Sequence, residues 1–544
     1  MSILYYFHTL RYLTLKQILY QILRRIYKPH IRSVDIIPDK SPISSKFCMP
    51  IEKDISIINY GEFVFYGEFG NLKDIGWEGS RKEKLWRYNQ HYFDDLNAKN
   101  ASRRKNIHIK HFNNWILNCS NSRNFGWDPY PLSLRIVNWI KWDIKNSYFS
   151  ETLQNSLYNQ CRSLEQKIEY HISGNHVFAN AKALIFAGCY FEGKKSDKWL
   201  CKGYKILAHE INVQILNDGG HYELSPMYHA IILEDVLDLL NILRAYKPKN
   251  SNSTIKLLED VVLKMIMWLR SMTFEDGGVS CFNDSATNIS ASTCNILEYA
   301  KRLGFLNVKA QTTPDLFFRH LKDSGYISTK NNKFQLILDV AKLGPDHLLA
   351  HAHADSLSFE LSLGKQRVIV NSGTSCYGFS VRRAFERTTR AHNTVEINDV
   401  SSSEVWSSFR VARRAYPTGL QIKNLQNNLS IKCSHTGYHW LLGSPKHTRS
   451  WLVDNKSIII KDEVSGKCDN AVSRLIFHCN IKIKQINDQI YVLKIPNKKE
   501  LTLQVNKGLS SLVKWKHTDR FGCLSDTTCL EINLVNGMSL VEIK

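Results

Sequence analysis

The chain has 544 residues, 43% hydrophobic and 11% aromatic, so it can bury sizeable cores and is not a disordered polypeptide. That length exceeds what one core usually supports, and two or three domains are expected. Lys and Arg number 72 against 50 Asp and Glu, a net +22 that attracts polyanions, yet no basic run, zinc-finger spacing or RNA-binding aromatic motif is present, which argues against nucleic acid as the partner.

Residues 1–30, MSILYYFHTLRYLTLKQILYQILRRIYKPH, are apolar but interrupted by Arg11, Lys16, Arg24 and Arg25. They lack the unbroken apolar stretch and cleavage site of a signal peptide, and the run of about 20 apolar residues that spans a bilayer. They read as a basic, aromatic, amphipathic helix, suited either to an anionic membrane surface or to packing on its own domain. The expected location is cytoplasmic, with peripheral attachment to the inner membrane face in the first case. Thirteen cysteines, an odd number without a CxxC, fit reduced thiols better than a disulfide framework.

After a lead-in over 1–75, residues 76–325 carry helical periodicity. HVFANAKALIFAGCYF (176–191), AIILEDVLDLLNILRAY (230–246) and STIKLLEDVVLKMIMWLRSM (253–272) space apolar residues at helical intervals. From 330 to 544 the pattern becomes short β-branched runs separated by Asn, Gly, Asp and Lys turns. FQLILDV, RVIVNSG, NTVEIND, LSIKCS, SIIIKDEV, SRLIFHC, QIYVLKI, LTLQVN and CLEINLV each read as a strand. The fold class is therefore α+β multidomain, a helical domain followed by an antiparallel β-sandwich.

Three segments could carry chemistry. In GNHVFANAKAL, Asn175 and His176 stand at a helix start, where Asn175 is either an N-cap or, with His176, a hydrogen-bonding pair for an anion. In DGGHYELSPMYHAIILEDV, Ser225 suits an N-cap and Pro226 the first helical position, so Tyr228 falls in the first turn. The helix dipole there would favour a phenolate, and a free Tyr with a pKa near ~10 needs such help to act as a base. In HLLAHAHADSLSFEL, an extended backbone would put His351, His353 and Asp355 on one face with Leu357, Phe359 and Leu361. With Asn371 and His392 downstream, the histidines suit either a tetrahedral Zn²⁺ site or a half-buried hydrogen-bonded cluster.

NHVFANAKALIFAG, DGGHYELSPMYH, HAHADSLSFEL and RAHNTVEIND, in that order, resemble the heparinase II/III superfamily of polysaccharide lyases. LWRYNQHYFDDL and GWDPYPLSLRIVNWIKW look like the helical domain of members from polysaccharide-biosynthesis clusters. The resemblance covers about residues 80–470. It implies an incomplete (α/α) toroid, a β-sandwich, a cleft between them and an acidic polysaccharide substrate. It also implies that Asn175 and His176 neutralise a uronate carboxylate, and that Tyr228, His351 and Tyr377 handle protons. His353, Asn371 and His392 take the positions of a structural zinc site whose third ligand is normally Asp. The neutral amide of Asn371 weakens that site. Trp127, Arg135, His221, Glu223 and Arg387 are candidate substrate contacts from their motif positions.

The expected activity is β-elimination on a uronic-acid-containing polysaccharide, in capsule or O-antigen metabolism. A uronyl C5-epimerase would use the same clamp and base but return a proton to C5. A non-catalytic scaffold of polysaccharide assembly would use neither.

Overall fold

A computed structural model of the chain describes residues 3–27, 33–35, 38–119, 124–305, 316–425 and 428–544. It shows a mixed α+β protein, with helices predominating up to Arg302 and antiparallel sheets after Leu316.

Two helices organise the first part. Gly174–Tyr190 and Pro226–Tyr246 are buried almost all round, which marks them as central rather than surface helices. Their interior faces are aliphatic and aromatic: Phe178, Ile185 and Phe186 on the first, Ile232, Leu239 and Leu243 on the second. The same core takes in Trp115, Trp139 and Trp199, and also Ile57, Phe63 and Phe65 from a small three-stranded sheet that precedes the helices. Pro226–Tyr246 begins as its residues dictate: Ser225 Oγ accepts the Tyr228 N–H and Pro226 occupies the first turn.

The second part holds an eight-stranded, a five-stranded and a four-stranded antiparallel sheet. The nine runs read as strands all lie in these sheets. Lys446–Asp454 shows the period of two that fixes their register, with His447, Arg449, Trp451 and Val453 buried and the residues between them less so. The inner faces of the three sheets share one apolar core that includes Leu338, Phe359, Trp451, Leu503 and Leu530.

The first 24 described residues form two helices, Ile3–Leu10 and Leu15–Ile26, where one was expected. Thr14 starts the second with a reciprocal cap to Gln17.

The stretch HLLAHAHAD is not a strand. Residues 348–358 are turns and bends, Leu357 adopts φ 62°, and the strand begins only at Phe359–Leu363. Alternation therefore does not place His351 and His353. Arg387 does: its guanidinium donates twice to the Ala352 carbonyl, and its own carbonyl accepts the Ala354 N–H. The loop is held through backbone hydrogen bonds, which removes the need for strand pairing.

Candidate active site

The first turns of the two central helices meet the 348–358 loop. Gly174 makes this approach possible, because it takes φ +62° and a Cβ there would lie 2.6 Å from Leu348 Cδ2 and 2.7 Å from Glu223 Oε1. Asn175 is the second residue of its helix, not the cap, and its N–H donates to Glu223 Oε1 at 3.3 Å. His176 lies beside it, its Nδ1–H donating to Glu169 Oε1 at 3.1 Å and its ring 4.4 Å from that of Tyr130.

Tyr228 stacks on His351 with ring centroids 3.9 Å apart, and its hydroxyl lies 3.3 Å from that of Tyr377. Tyr377 reaches this point from a loop turned by Gly373, at φ +79°, where a Cβ would collide with the Thr518 carbonyl. A chain of contacts thus links Asn175, through Glu223, to His351, Tyr228 and Tyr377, with His176 next to Asn175 in the helix. Burial pushes the Tyr228 phenol well above its ordinary value, and the neighbouring Tyr377 adds to this. Desolvation outweighs the helix dipole, so Tyr228 rests as a neutral proton donor and not as the phenolate expected from its helix position. Tyr377 is raised in the same way, by burial and then by the nearby Asp284 charge. Burial also raises Glu223.

The residue that organises the β side is Asp284, in CFNDSA. Fully buried, it accepts from His351 Nδ1 at 2.9 Å, from His353 Nε2 at 2.9 Å, and from both Nη atoms of Arg383. The guanidinium and these hydrogen bonds hold its carboxyl well below the usual carboxylate range against the opposing effect of burial. A carboxylate can only accept, so His351 carries a proton on Nδ1, and in the neutral ring Nε2 is the lone pair. That nitrogen lies 3.7 Å from Glu223 Oε2, beyond a direct hydrogen bond. Sequence reading missed Asp284, Arg383, Glu169 and Tyr130. The local signal for Asp284 was a lone carboxylate in the small, apolar run VSCFNDSA.

Several expected substrate contacts lie elsewhere. Arg135 is fully buried in the helical core, over the Trp115 ring and donating to Gln160 Oε1 and the His91 carbonyl. Trp127 packs on Trp115 and donates to the Cys119 carbonyl. His221 is fully buried with Nε2 on Gln214 Oε1. Arg387 uses its donors on the carbonyls of Ala352, Ser407 and Arg410. These side chains are turned to backbone and core, Arg387 backing the loop at Ala352, and of that group Glu223 is the one that contacts Asn175 and His351.

For zinc, His353 Nδ1 and His392 Nε2 do approach to 3.3 Å. Asn371 does not join them as a ligand. Its Oδ1 accepts from Ser358 Oγ at 2.7 Å and from the Asn393 N–H at 3.3 Å, which takes up both lone pairs. Asp355 accepts from the Asn283 N–H, with burial pushing it up to about 7. Among the described residues no group of three or more His, Cys, Asp or Glu is placed to hold a metal ion. Two imidazoles are half of the four ligands that structural zinc requires, and the residues present do not fit it.

Residues 56–310 match the family described as Heparinase II/III N-terminus, and residues 313–531 match Heparinase II/III-like, C-terminal. The heparin-sulfate lyase of Bacteroides stercoris is 28% identical over 320 residues, 56% of this chain and 46% of that protein. The heparin-sulfate lyase of Bacteroides thetaiotaomicron is 25% identical over 409 residues, 67% of this chain and 56% of that protein. The chain thus spans about half the length of these relatives. A solved heparinase III structure shares the fold with a TM-score of 0.67 at 18% identity, covering 86% of this chain and 77% of that one. With both family models matched in sequence order across most of its length, the chain belongs to the heparinase II/III family.

Proposed function

We propose that this protein is a polysaccharide lyase, a carbon–oxygen lyase that cleaves a uronic-acid-containing acidic polysaccharide by β-elimination. The observation that carries this reading is the stack of His351 on Tyr228, with the Tyr377 hydroxyl in reach and Asn175 and His176 alongside. Membership of the heparinase II/III family and the heparin-sulfate lyase relatives support it. In this reading the helical part (76–325) is an incomplete (α/α) toroid, the β part (330–544) is a sandwich, and the polymer lies between them.

The uronate carboxylate meets the Asn175 amide and His176, which to donate to it must carry a proton on Nε2 as well as the Nδ1–H anchored on Glu169. Neutralising that carboxylate acidifies the C5 proton. His351 Nε2, its lone pair set by Asp284, removes it. The C5–H electrons form the C4–C5 double bond, the C4–O4 bond breaks, and the departing O4 takes the phenol proton of Tyr228. Tyr377 lies within reach to return a proton to Tyr228. Hydrogen bonds to the developing enolate supply most of the stabilisation. Because Tyr228 and His351 stack, base and acid work from one side of the sugar. That favours elimination over C5 epimerisation, which needs donors on opposite faces. No step is routed through zinc.

The test is ultraviolet absorbance of the unsaturated uronate over time, with alginate, glucuronan, heparan and chondroitin as substrates. Rising absorbance that is lost in Tyr228→Phe establishes the lyase and names its substrate. Rising absorbance that survives Tyr228→Phe overturns the role of Tyr228. Deuterium uptake at C5 without cleavage would overturn the lyase in favour of an epimerase.

A further inference from the structure

The helix Leu15–Ile26 is inside out. A surface helix normally turns its apolar stripe to the core and its polar face to water. Here the residues that touch the rest of the protein include Lys16, Gln17, Tyr20 and Arg24, with Lys16 Nζ 4.3 Å from the Tyr170 ring centroid. Gln17 donates to the His347 carbonyl at 3.2 Å, Tyr20 packs tilted against Tyr170 with ring centroids 4.7 Å apart, and Arg24 meets His171 Nε2 at 2.5 Å. The stripe at Leu15, Leu19, Ile22 and Ile26, spaced four, three and four, faces outward, with exposures of 86%, 54%, 50% and 78%. The helix Ile3–Leu10 repeats the arrangement. Thr9 and Tyr5 pack toward Val411 and Trp406, while Ile3 and Phe7 are exposed at 83% and 61%.

The charge on this segment is of one sign. Arg11 and Arg25 are exposed beside the stripe, Lys16 and Arg24 lie toward Tyr170 and His171, and no Asp or Glu occurs before Asp35. An outward apolar stripe on a segment whose own charged residues are all cations complements a surface that is apolar inside and anionic outside. No helix among the described residues is long and apolar enough to cross a membrane, so the geometry fits lying on one.

We propose that the two helices over residues 3–27 dock the protein onto an anionic lipid bilayer, their apolar residues seated among the acyl chains and Arg11 and Arg25 at the headgroups. The helix Leu15–Ile26 is tied to the two segments that carry the site: His347 is four residues before His351, and His171 is four before Asn175. Docking goes beyond the lyase reading and does not rest on it, since binding is read without substrate.

The test is sedimentation of the full chain with phosphatidylcholine vesicles carrying 0% or about 30% phosphatidylglycerol. Each basic side chain near an anionic surface contributes about fivefold in affinity, so two or more engaged residues predict at least a tenfold preference for the anionic vesicles, reduced by salt. The exposed double substitution Leu19→Asp with Ile22→Asp should abolish binding while leaving the circular dichroism spectrum and melting temperature unchanged. Equal binding to both vesicles, or binding to neither, would overturn the proposal. So would a dimer in solution that the same double substitution dissociates, because the stripe would then belong to a second copy of the chain.

Discussion

The two sides of the site are held in opposite ways. On the helical side, Asn175, His176 and Tyr228 stand on the first turns of helices buried all round in aliphatic and aromatic packing. On the β side, His351 hangs on an irregular loop and is aimed by a buried carboxylate that also carries His353 and Arg383. Apolar packing sets helix starts without reference to charge and tolerates modest change. A buried charge hub aims imidazoles closely, but losing one member leaves the others desolvated and unpaired.

The largest effect should follow from breaking the hub. Asp284→Ala strands the Arg383 guanidinium and frees the His351 tautomer. It should cost about 3–5 kcal/mol in urea unfolding together with most of the turnover. If stability holds near wild type, the hub does not set the β side. Tyr228→Phe removes one hydroxyl from the packed side. Turnover should fall about 10²–10⁴-fold, while the lost Tyr377 contact changes stability by only about 1 kcal/mol. A comparable loss of stability would erase the contrast between the two sides.

Acid should affect both sides through their buried histidines. Burial holds His91 and His229 on the helical side down to about 3, and His353 and His517 on the β side down to about 4. All four lie below the ordinary value of 6.5, so the unfolded chain binds protons that the folded chain refuses. Their stabilising contribution is full above pH 6.5. It declines as pH falls toward the folded values, by about 1.4 kcal/mol per pH unit for each histidine. Urea midpoints measured at pH 7, 6 and 5 should therefore decrease in that order, and a flat profile would show that these rings are not buried as neutral bases. The smallest effect should come from Arg135→Met. It swaps a buried guanidinium in the Trp115 cluster for an apolar side chain, so stability should stay within about 2 kcal/mol and KM should not move. A raised KM would return Arg135 to the cleft.

Much of the fold was legible in residue patterns because the patterns are local. The Ser225–Pro226 start, the long apolar helices and the nine strand runs follow from capping chemistry and from periods of 3.6 and two. The loop over 348–358 was misread because alternating His, Ala, His and Ala imitates a strand, and only the distant Arg387 shows that the backbone is held otherwise. The position of Tyr228 in a first helical turn was legible, but the helix dipole's pull toward a phenolate is outweighed by burial, because a helix start is visible in sequence and the burial of its phenol is not. The motif positions of Arg135, His221 and Arg387 gave no sign that their polar atoms are used inside the protein.

The sequence by itself determined which segments are helix or strand, the helix start beneath Tyr228 and the family resemblance. Each depends on residues close together in the chain. Tertiary structure alone decided that Asp284 sets the His351 tautomer across 67 positions, that Asn371 Oδ1 is held by Ser358 and Asn393, and that the first helices turn their apolar stripe outward. Those outcomes depend on which groups become neighbours in low dielectric and which are left facing water, and neither is encoded in any one stretch of the chain.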